Sequence, residues 1–162
     1  KYLNDTKKHE EEINTILEEK IQSIKDKLLN ATGKYSDYRR YEFSLANLDE
    51  EYDETLELYN FDIWLGKSSG TIRDKAAHML RTTLDLFQDM ADNARKELQS
   101  VLQEIMDCTA DEQKEIWGKD LFLDKSKMSE EDLKELLWEW EEFPYSQNES
   151  LNYFIKLVEE SI

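Results

Sequence analysis

Apolar side chains recur every three or four residues along most of this chain, with charged side chains between them. Such spacing places the apolar residues on one stripe of an α-helix and leaves the charged residues in water. The first stripe predicts an amphipathic helix over about residues 8–32. Its members are Ile13, Leu17, Ile21, Ile24, Leu28 and Ala31.

Gly33 follows this first stripe directly. We expect Gly33 to end the helix, because glycine adopts the left-handed conformation of a C-cap without steric cost. Ser36 would then cap the next helix, since serine is a favoured N-cap residue. If Gly33 is instead tolerated inside a helix, the first two helices form one long rod.

Two further stripes predict a long helical hairpin. One runs over about residues 37–65 and is rich in Tyr, and the other runs over about residues 71–107. The segment 66–70, which contains two Gly and two Ser, interrupts the pattern between them. Because so short a connection cannot carry the chain far, the two helices must lie side by side and antiparallel.

Shorter elements follow Cys108. The sequence predicts a brief helix that begins at Thr109 and ends at Gly118, then a helix over about residues 130–143 that Pro144 ends. A last helix begins at about residue 149.

An amphipathic helix cannot bury its stripe alone, so these helices must pack on one another. The predicted fold is therefore all-α: a single domain over residues 1–162, formed as an antiparallel bundle built on the hairpin. The N-terminal helix and the short C-terminal helices cover it. One Pro and four Gly leave too few turn residues for a β-sandwich or a parallel α/β sheet. The stripe of the 8–32 helix would serve equally well as a coiled-coil or oligomerisation arm.

Acidic residues dominate the charge of the chain. The formal net charge is −17, of which residues 35–66 carry −7 and residues 109–162 carry −9. A field of this sign repels the phosphates of nucleic acids and speeds the approach of a basic partner. We therefore expect a basic protein partner and no nucleic acid. No run of apolar residues is long enough to span a bilayer, so we expect no membrane span.

Catalytic and cofactor motifs are not recognisable. Gly66-Lys67-Ser68 lacks the earlier Gly of a P-loop, and neither His9 nor His78 has the Glu three residues earlier that di-iron bundles use. We expect no enzyme activity, no metal and no cofactor. Cys108 follows a predicted helix C-terminus, which disfavours a reactive thiolate. It is either a buried thiol or a disulfide link to a second chain.

Aromatic residues among acids are the remaining candidates for a binding site. Trp138 lies about 100° from Leu137 on the helical wheel, off the apolar stripe and next to Glu139, Glu141 and Glu142. An indole among carboxylates attracts a cationic side chain by cation–π and Coulomb interactions together.

Trp64 is displaced from its stripe in the same way. Either Trp could instead pack beneath a neighbouring helix, which is the ordinary role of tryptophan.

Three N-glycosylation sequons begin at Asn4, Asn30 and Asn148, all near predicted helix ends or loops. The chain begins at Lys1, which we interpret as the start of a processed product or a fragment. Both observations favour an extracellular glycoprotein, although the single Cys favours a cytoplasmic location.

The sequence therefore favours a secreted, non-enzymatic helical protein that binds a basic protein through an acidic and aromatic surface. One alternative is an intracellular coiled-coil scaffold whose 8–32 helix, or Cys108, holds an oligomer together. A weaker alternative is a helical carrier of a lipid or another apolar ligand.

Overall fold

The part of the chain that the structure describes contains five α-helices. The structure is a computed structural model, and it describes the backbone of residues 2–64 and 70–162 and the side chains of residues 5–50 and 78–162. The helices are α1 (Tyr2–Trp64), α2 (Gly70–Met106), α3 (Ala110–Trp117), α4 (Glu130–Trp138) and α5 (Gln147–Ser161). No strand occurs within these ranges, and the predicted all-α bundle is confirmed.

The helices α1 and α2 lie side by side and antiparallel, as the short connection predicts. Residue numbers rise along α1 as they fall along the adjoining face of α2. Three ion pairs join the two helices and show this antiparallel register. They are Lys27 Nζ to Glu104 Oε1 at 3.2 Å, Lys34 Nζ to Glu97 Oε1 at 3.6 Å, and Arg81 Nε to Asp49 Oδ1 at 3.3 Å.

The prediction that a helix ends at Gly33 is wrong, because α1 continues through this residue without a break. The predicted helices 8–32 and 37–65 are therefore one rod. Gly33 is buried where α5 begins, and a Cβ atom there would lie 2.7 Å from Cγ of Gln147. The missing side chain thus serves a close helix–helix approach. Ser36 caps no helix; its hydroxyl donates to the Pro144 carbonyl at 3.2 Å.

The core lies around the middle of α1 and the C-terminal half of α2, where the three short helices pack. Tyr35, Leu98 and Phe154 are among its fully buried side chains. Burial decreases away from this region. Residues 5–20 of α1 are all exposed, and in the hairpin Leu48 and Leu86 are about half exposed. Each of these stretches has fewer neighbouring helices to cover it.

The helices α3 and α4 begin where the sequence predicts, and α5 begins at Gln147, two residues before the predicted start. Thr109 and Ser129 each form a capping box with the residue three positions later, and Gly118 ends α3 with a φ of +72°. The end of α4 differs from the prediction, since the helix stops at Trp138 and does not reach residue 143. Trp140, just beyond this end, is nonetheless buried in the core.

Gln113 holds the loop between α3 and α4 in place. Its Oε1 accepts the backbone N–H of Leu123 at 2.7 Å and the indole N–H of Trp117 at 3.3 Å. Its Nε2 donates to the carbonyl of Leu123 at 3.0 Å. Because Gln113 is fully buried, these bonds satisfy backbone groups of Leu123 that water cannot reach.

Replacing Gln113 with Ala should lower the free energy of unfolding by about 2–3 kcal/mol, because it leaves buried polar groups of Leu123 and Trp117 without partners. Urea denaturation followed by circular dichroism measures the change. The control is Glu115→Ala, at an exposed position of the same helix, which should change stability by no more than about 0.5 kcal/mol. Equal effects of the two substitutions would contradict this role of Gln113.

Replacing Gly33 with Ala should have an effect that depends on Gln147. Alanine favours a helix interior by about 1 kcal/mol over glycine, but its Cβ would displace the Gln147 side chain. We expect little net change in the parent chain and a gain of about 0.5–1 kcal/mol in a Gln147→Ala background. A double-mutant cycle in urea tests this, and purely additive effects would show that the contact is unimportant.

Candidate partner-binding surface

The N-terminus of α4 fixes the orientation of this helix. The Ser129 hydroxyl accepts the backbone N–H of Asp132 at 3.2 Å, and the Asp132 carboxylate accepts the backbone N–H of Ser129 at 2.9 Å. Leu133, Leu136 and Leu137 then point into the core and are almost fully buried. The opposite face of α4 remains in solvent, with acidic residues three and four positions apart. These residues are Asp132, Glu135 and Glu139.

Trp140 fixes the turn that follows α4. Its ring packs against Tyr35, with ring centroids 5.2 Å apart, and against Phe154 at 5.4 Å. Its indole N–H donates to the carbonyl of Glu142. With Trp140 held in the core, the three predicted acidic residues around it stay exposed. They are Glu139, Glu141 and Glu142.

A groove runs between α4 and α5 beside this turn, and we call it the acidic groove. It consists of two adjoining cavities of about 460 and 230 Å³, both lined by Glu139, Leu157 and Glu160. The almost fully buried Leu136 and Trp140 lie at its base, and Tyr153 also lines it. The other acidic residues that line it are Asp132, Glu135, Glu141 and Glu142.

Negative charge in the acidic groove is largely uncompensated. Six carboxylates line it, against the ammonium groups of Lys127 and Lys156. Within the described residues, the side chains of Glu139, Glu141 and Glu142 form no ion pair or hydrogen bond. Such a groove favours a ligand that brings cationic groups to its edges and apolar groups to its floor.

Trp138 lies apart from the acidic groove, on the side of α4 that faces α2. Its ring is already covered by a cation of this chain, since Cζ of Arg95 lies 3.9 Å from the ring centroid. Arg95 is held there by Asp92 at 3.1 Å and by the Tyr35 hydroxyl at 3.2 Å. Trp138 remains 62% exposed. The structure therefore places the predicted Trp138 beside an arginine and separates it from the acidic groove.

The side chain of Trp64 lies outside the described residues, and so does that of Asn4. Asn30 is exposed but lies in the middle of α1, which corrects the predicted position near a helix end. Thr32 of the same sequon is fully buried, and its hydroxyl donates to the Leu28 carbonyl at 2.8 Å. Asn148 is exposed in the first turn of α5.

Only part of the acidic groove could be predicted from the sequence. Asp132, Glu135 and Glu139 are spaced three and four residues apart, which places them on one face of a helix. This spacing is visible in the sequence and would have added Asp132 and Glu135 to the predicted binding residues. Glu160 and Leu157 lie on α5, and only the packing of the two helices brings them to the same groove. No pattern within α4 or α5 alone reveals that juxtaposition.

Two kinds of feature are not found among the described residues: a cluster of metal ligands and a membrane-spanning helix. No group of three or more His, Cys, Asp or Glu side chains in the described ranges is arranged to hold a metal ion. In the same ranges, no helix combines the length and the apolar character required to cross a bilayer.

Cys108 is a free, buried thiol between α2 and α3. Its Sγ contacts the Glu104 carbonyl at 3.4 Å, and burial raises the pKa of the thiol above its ordinary value of 9.0. Of the two predicted alternatives, a buried thiol and a disulfide link to a second chain, this position favours the buried thiol.

Alkylation of Cys108 by iodoacetamide should be about tenfold or more slower in the native protein than in urea, because the thiol is both buried and less ionised. Since the pKa is raised, the native rate should keep rising with pH above 9.0, where the rate in urea levels off. Mass spectrometry of samples quenched over time measures both rates. Equal rates in the two states would show that the thiol is accessible.

Comparison of the chain with protein-family models, with curated proteins and with solved structures finds no match. The acidic groove and its neighbourhood therefore have to be interpreted from their own geometry and charge.

Proposed function

We propose that this chain is a non-enzymatic helical binding protein, and that it engages a basic segment of a protein partner through the acidic groove. The observation that carries the proposal is the combination of the partly exposed side chains of Leu157 and Tyr153 with six surrounding carboxylates. A groove of this kind suits an amphipathic helix whose apolar side faces the floor and whose Lys or Arg side chains reach the edges.

Electrostatics supports this assignment at short and at long range. The carboxylates of Glu139, Glu141 and Glu142 have no ion-pair partner among the described residues, so a partner's cations do not have to displace an existing pair. The net charge of −17 attracts a basic protein over the distance of a Debye length and repels nucleic acid. Charge complementarity of this kind acts chiefly on the association rate and on specificity.

The exposed aromatic residues have different roles in this proposal. Tyr153 is 43% exposed and lines the acidic groove, where its ring offers a flat apolar contact. Trp138 sits next to Arg95, whose positive charge disfavours a second cation on the same ring. The acidic groove, with Tyr153, therefore carries the binding that sequence analysis assigned to Trp138. An extracellular location and glycosylation at Asn148 belong to the same proposal.

Reversing the charge of three groove residues, Glu139→Lys, Glu141→Lys and Glu142→Lys together, should weaken binding of a basic amphipathic peptide by about tenfold to a hundredfold at low salt. The probe is a fluorescein-labelled helical peptide with Leu along one face and Lys and Arg along the other. Fluorescence anisotropy at low and high salt measures its affinity. Binding to the parent should weaken as salt increases, whereas the variant should respond much less.

The matched control carries the same change in net charge at exposed positions remote from the groove: Asp85→Lys, Asp89→Lys and Glu115→Lys. It should keep most of the parent's affinity. Trp138→Ala should also bind within about twofold of the parent, because Trp138 lies outside the groove. If the control triple weakens binding as much as the groove triple, only overall charge matters and the assignment to the groove fails.

A second candidate function, an assembly module that pairs through the N-terminal helix, is favoured by one observation. Ile13, Ile16 and Leu17 remain 41–65% exposed, although Ile24 and Leu28 on the same helix are buried.

A further inference from the structure

We infer that Arg39 and Arg40 of α1 are positioning residues of the acidic groove. They hold the segment after Trp140 in the conformation that presents Glu141 and Glu142 to the groove. This inference rests on the proposed function, because its effect on binding requires a basic ligand in the acidic groove. Its structural part, the fixed conformation of the segment, can be measured without any ligand.

Residues 141–145, which we call the acidic turn, have no regular backbone structure that fixes their conformation. The acidic turn lies between the end of α4 and the start of α5 and is not helical. Among the described residues, no backbone–backbone hydrogen bond joins the acidic turn to itself or to a helix. Its two acids, Glu141 and Glu142, place like charges at neighbouring positions. The conformation of the acidic turn therefore depends on side-chain contacts.

Arg40 holds the end of the acidic turn through two contacts. Its Nη1 donates to the Pro144 carbonyl at 3.0 Å, and its Cζ lies 4.2 Å from the ring centroid of Tyr145. Its Nη2 donates to the Asp37 carboxylate at 2.9 Å, which fixes the orientation of the guanidinium. Ser36 lies one turn earlier on the same face of α1, and its hydroxyl donates to the same Pro144 carbonyl. Two side chains of α1 thus share one backbone acceptor of the acidic turn.

Arg39 holds the acidic turn through an aromatic contact. Its Cζ lies 5.5 Å from the ring centroid of Phe143 and 4.9 Å from that of Phe43 on α1. Its Nη1 forms an ion pair with Glu42. The buried Nε of Arg39 forms no hydrogen bond among the described residues. An unbonded buried N–H costs free energy, which the cation–π contacts with the two rings offset.

The two arginines cannot strengthen the binding of a basic ligand through their charge. A positive charge near the acidic groove weakens its attraction for such a ligand. Coulomb interactions alone would therefore favour an uncharged residue at position 40. A turn that is already fixed, however, loses less conformational freedom when a ligand binds. Positioning and electrostatics thus predict opposite effects of removing Arg40.

Arg40→Gln tests the positioning role in the full chain. The substitution makes the net charge of −17 one unit more negative and removes the contacts with Pro144 and Tyr145. We expect the same basic amphipathic peptide to bind about threefold to tenfold more weakly in fluorescence anisotropy. Arg40→Lys keeps the charge but lacks the planar fork that bonds and stacks at once, so it should weaken binding as well.

The control is Lys96→Gln, which removes the same charge from an exposed position of α2 that does not line the groove. It should bind the peptide no more weakly than the parent. Binding by Arg40→Gln at the parental affinity or more tightly overturns the inference.

Limited proteolysis with a Glu-specific endoprotease measures the conformation of the acidic turn without a ligand. Cleavage after Glu141 and Glu142 should be about fivefold or more faster in Arg40→Gln than in the parent, because the opened turn is more populated. Cleavage after Glu97, an exposed residue within α2, reports global unfolding and should keep the parental rate. Mass spectrometry assigns the cleavage sites and measures both rates.

Parental cleavage rates after Glu141 and Glu142 overturn the inference. An equal acceleration after Glu97 overturns it too, because Arg40 would then stabilise the whole fold and not the acidic turn in particular. A parent that fails to bind the peptide contradicts the proposed function alone, since the cleavage rates still decide whether Arg40 fixes the acidic turn.

Discussion

Burial of the central part of α1 against α2 and the short helices is the interaction on which the other features of this structure depend. Tyr35 lies at its centre and is almost fully buried. Its hydroxyl donates to the Leu137 carbonyl of α4 at 3.3 Å and accepts from Arg95 of α2 at 3.2 Å. One α1 side chain thus fixes two other helices. Arg95 also lies over the ring of Trp138, so the same contact places a cation on that ring.

The same packing shapes the acidic groove. Trp140 is held between Tyr35 and Phe154, just beyond the end of α4 at Trp138. On a continued helix Trp140 would also lie on the face of Leu136 and Leu137, so the early end of α4 changes the positions of Glu141 and Glu142 and not the burial of Trp140. The buried ring anchors the turn that carries these carboxylates. The site depends on core packing although none of its carboxylates is in the core.

Features that depend on neighbouring residues could be predicted from the sequence, whereas features that depend on contacts between distant residues could not. The capped helices at Thr109 and Ser129 follow from side chains within a few residues, and both were predicted. Gly33 was predicted to end a helix, since its contact with Gln147 lies more than a hundred residues away and leaves no local signal. The pairing of Arg95 with Trp138 joins two helices in the same way. Of the five residues predicted for the binding surface, Glu139, Glu141 and Glu142 line the acidic groove, Trp138 lies outside it, and the side chain of Trp64 lies outside the described residues.

The acidic groove and the exposed residues 5–20 of α1 occur where the helices of this chain no longer cover one another. If a dimer forms through residues 5–20, as in the second candidate function, it presents two acidic grooves at a distance that the length of α1 determines. A partner with a single basic segment would gain nothing from the dimer beyond a second independent site. A partner with two basic segments would gain avidity only if its linker spans that distance, since a shorter linker cannot engage both grooves. Dimerisation would therefore select among basic partners by the spacing of their charged segments.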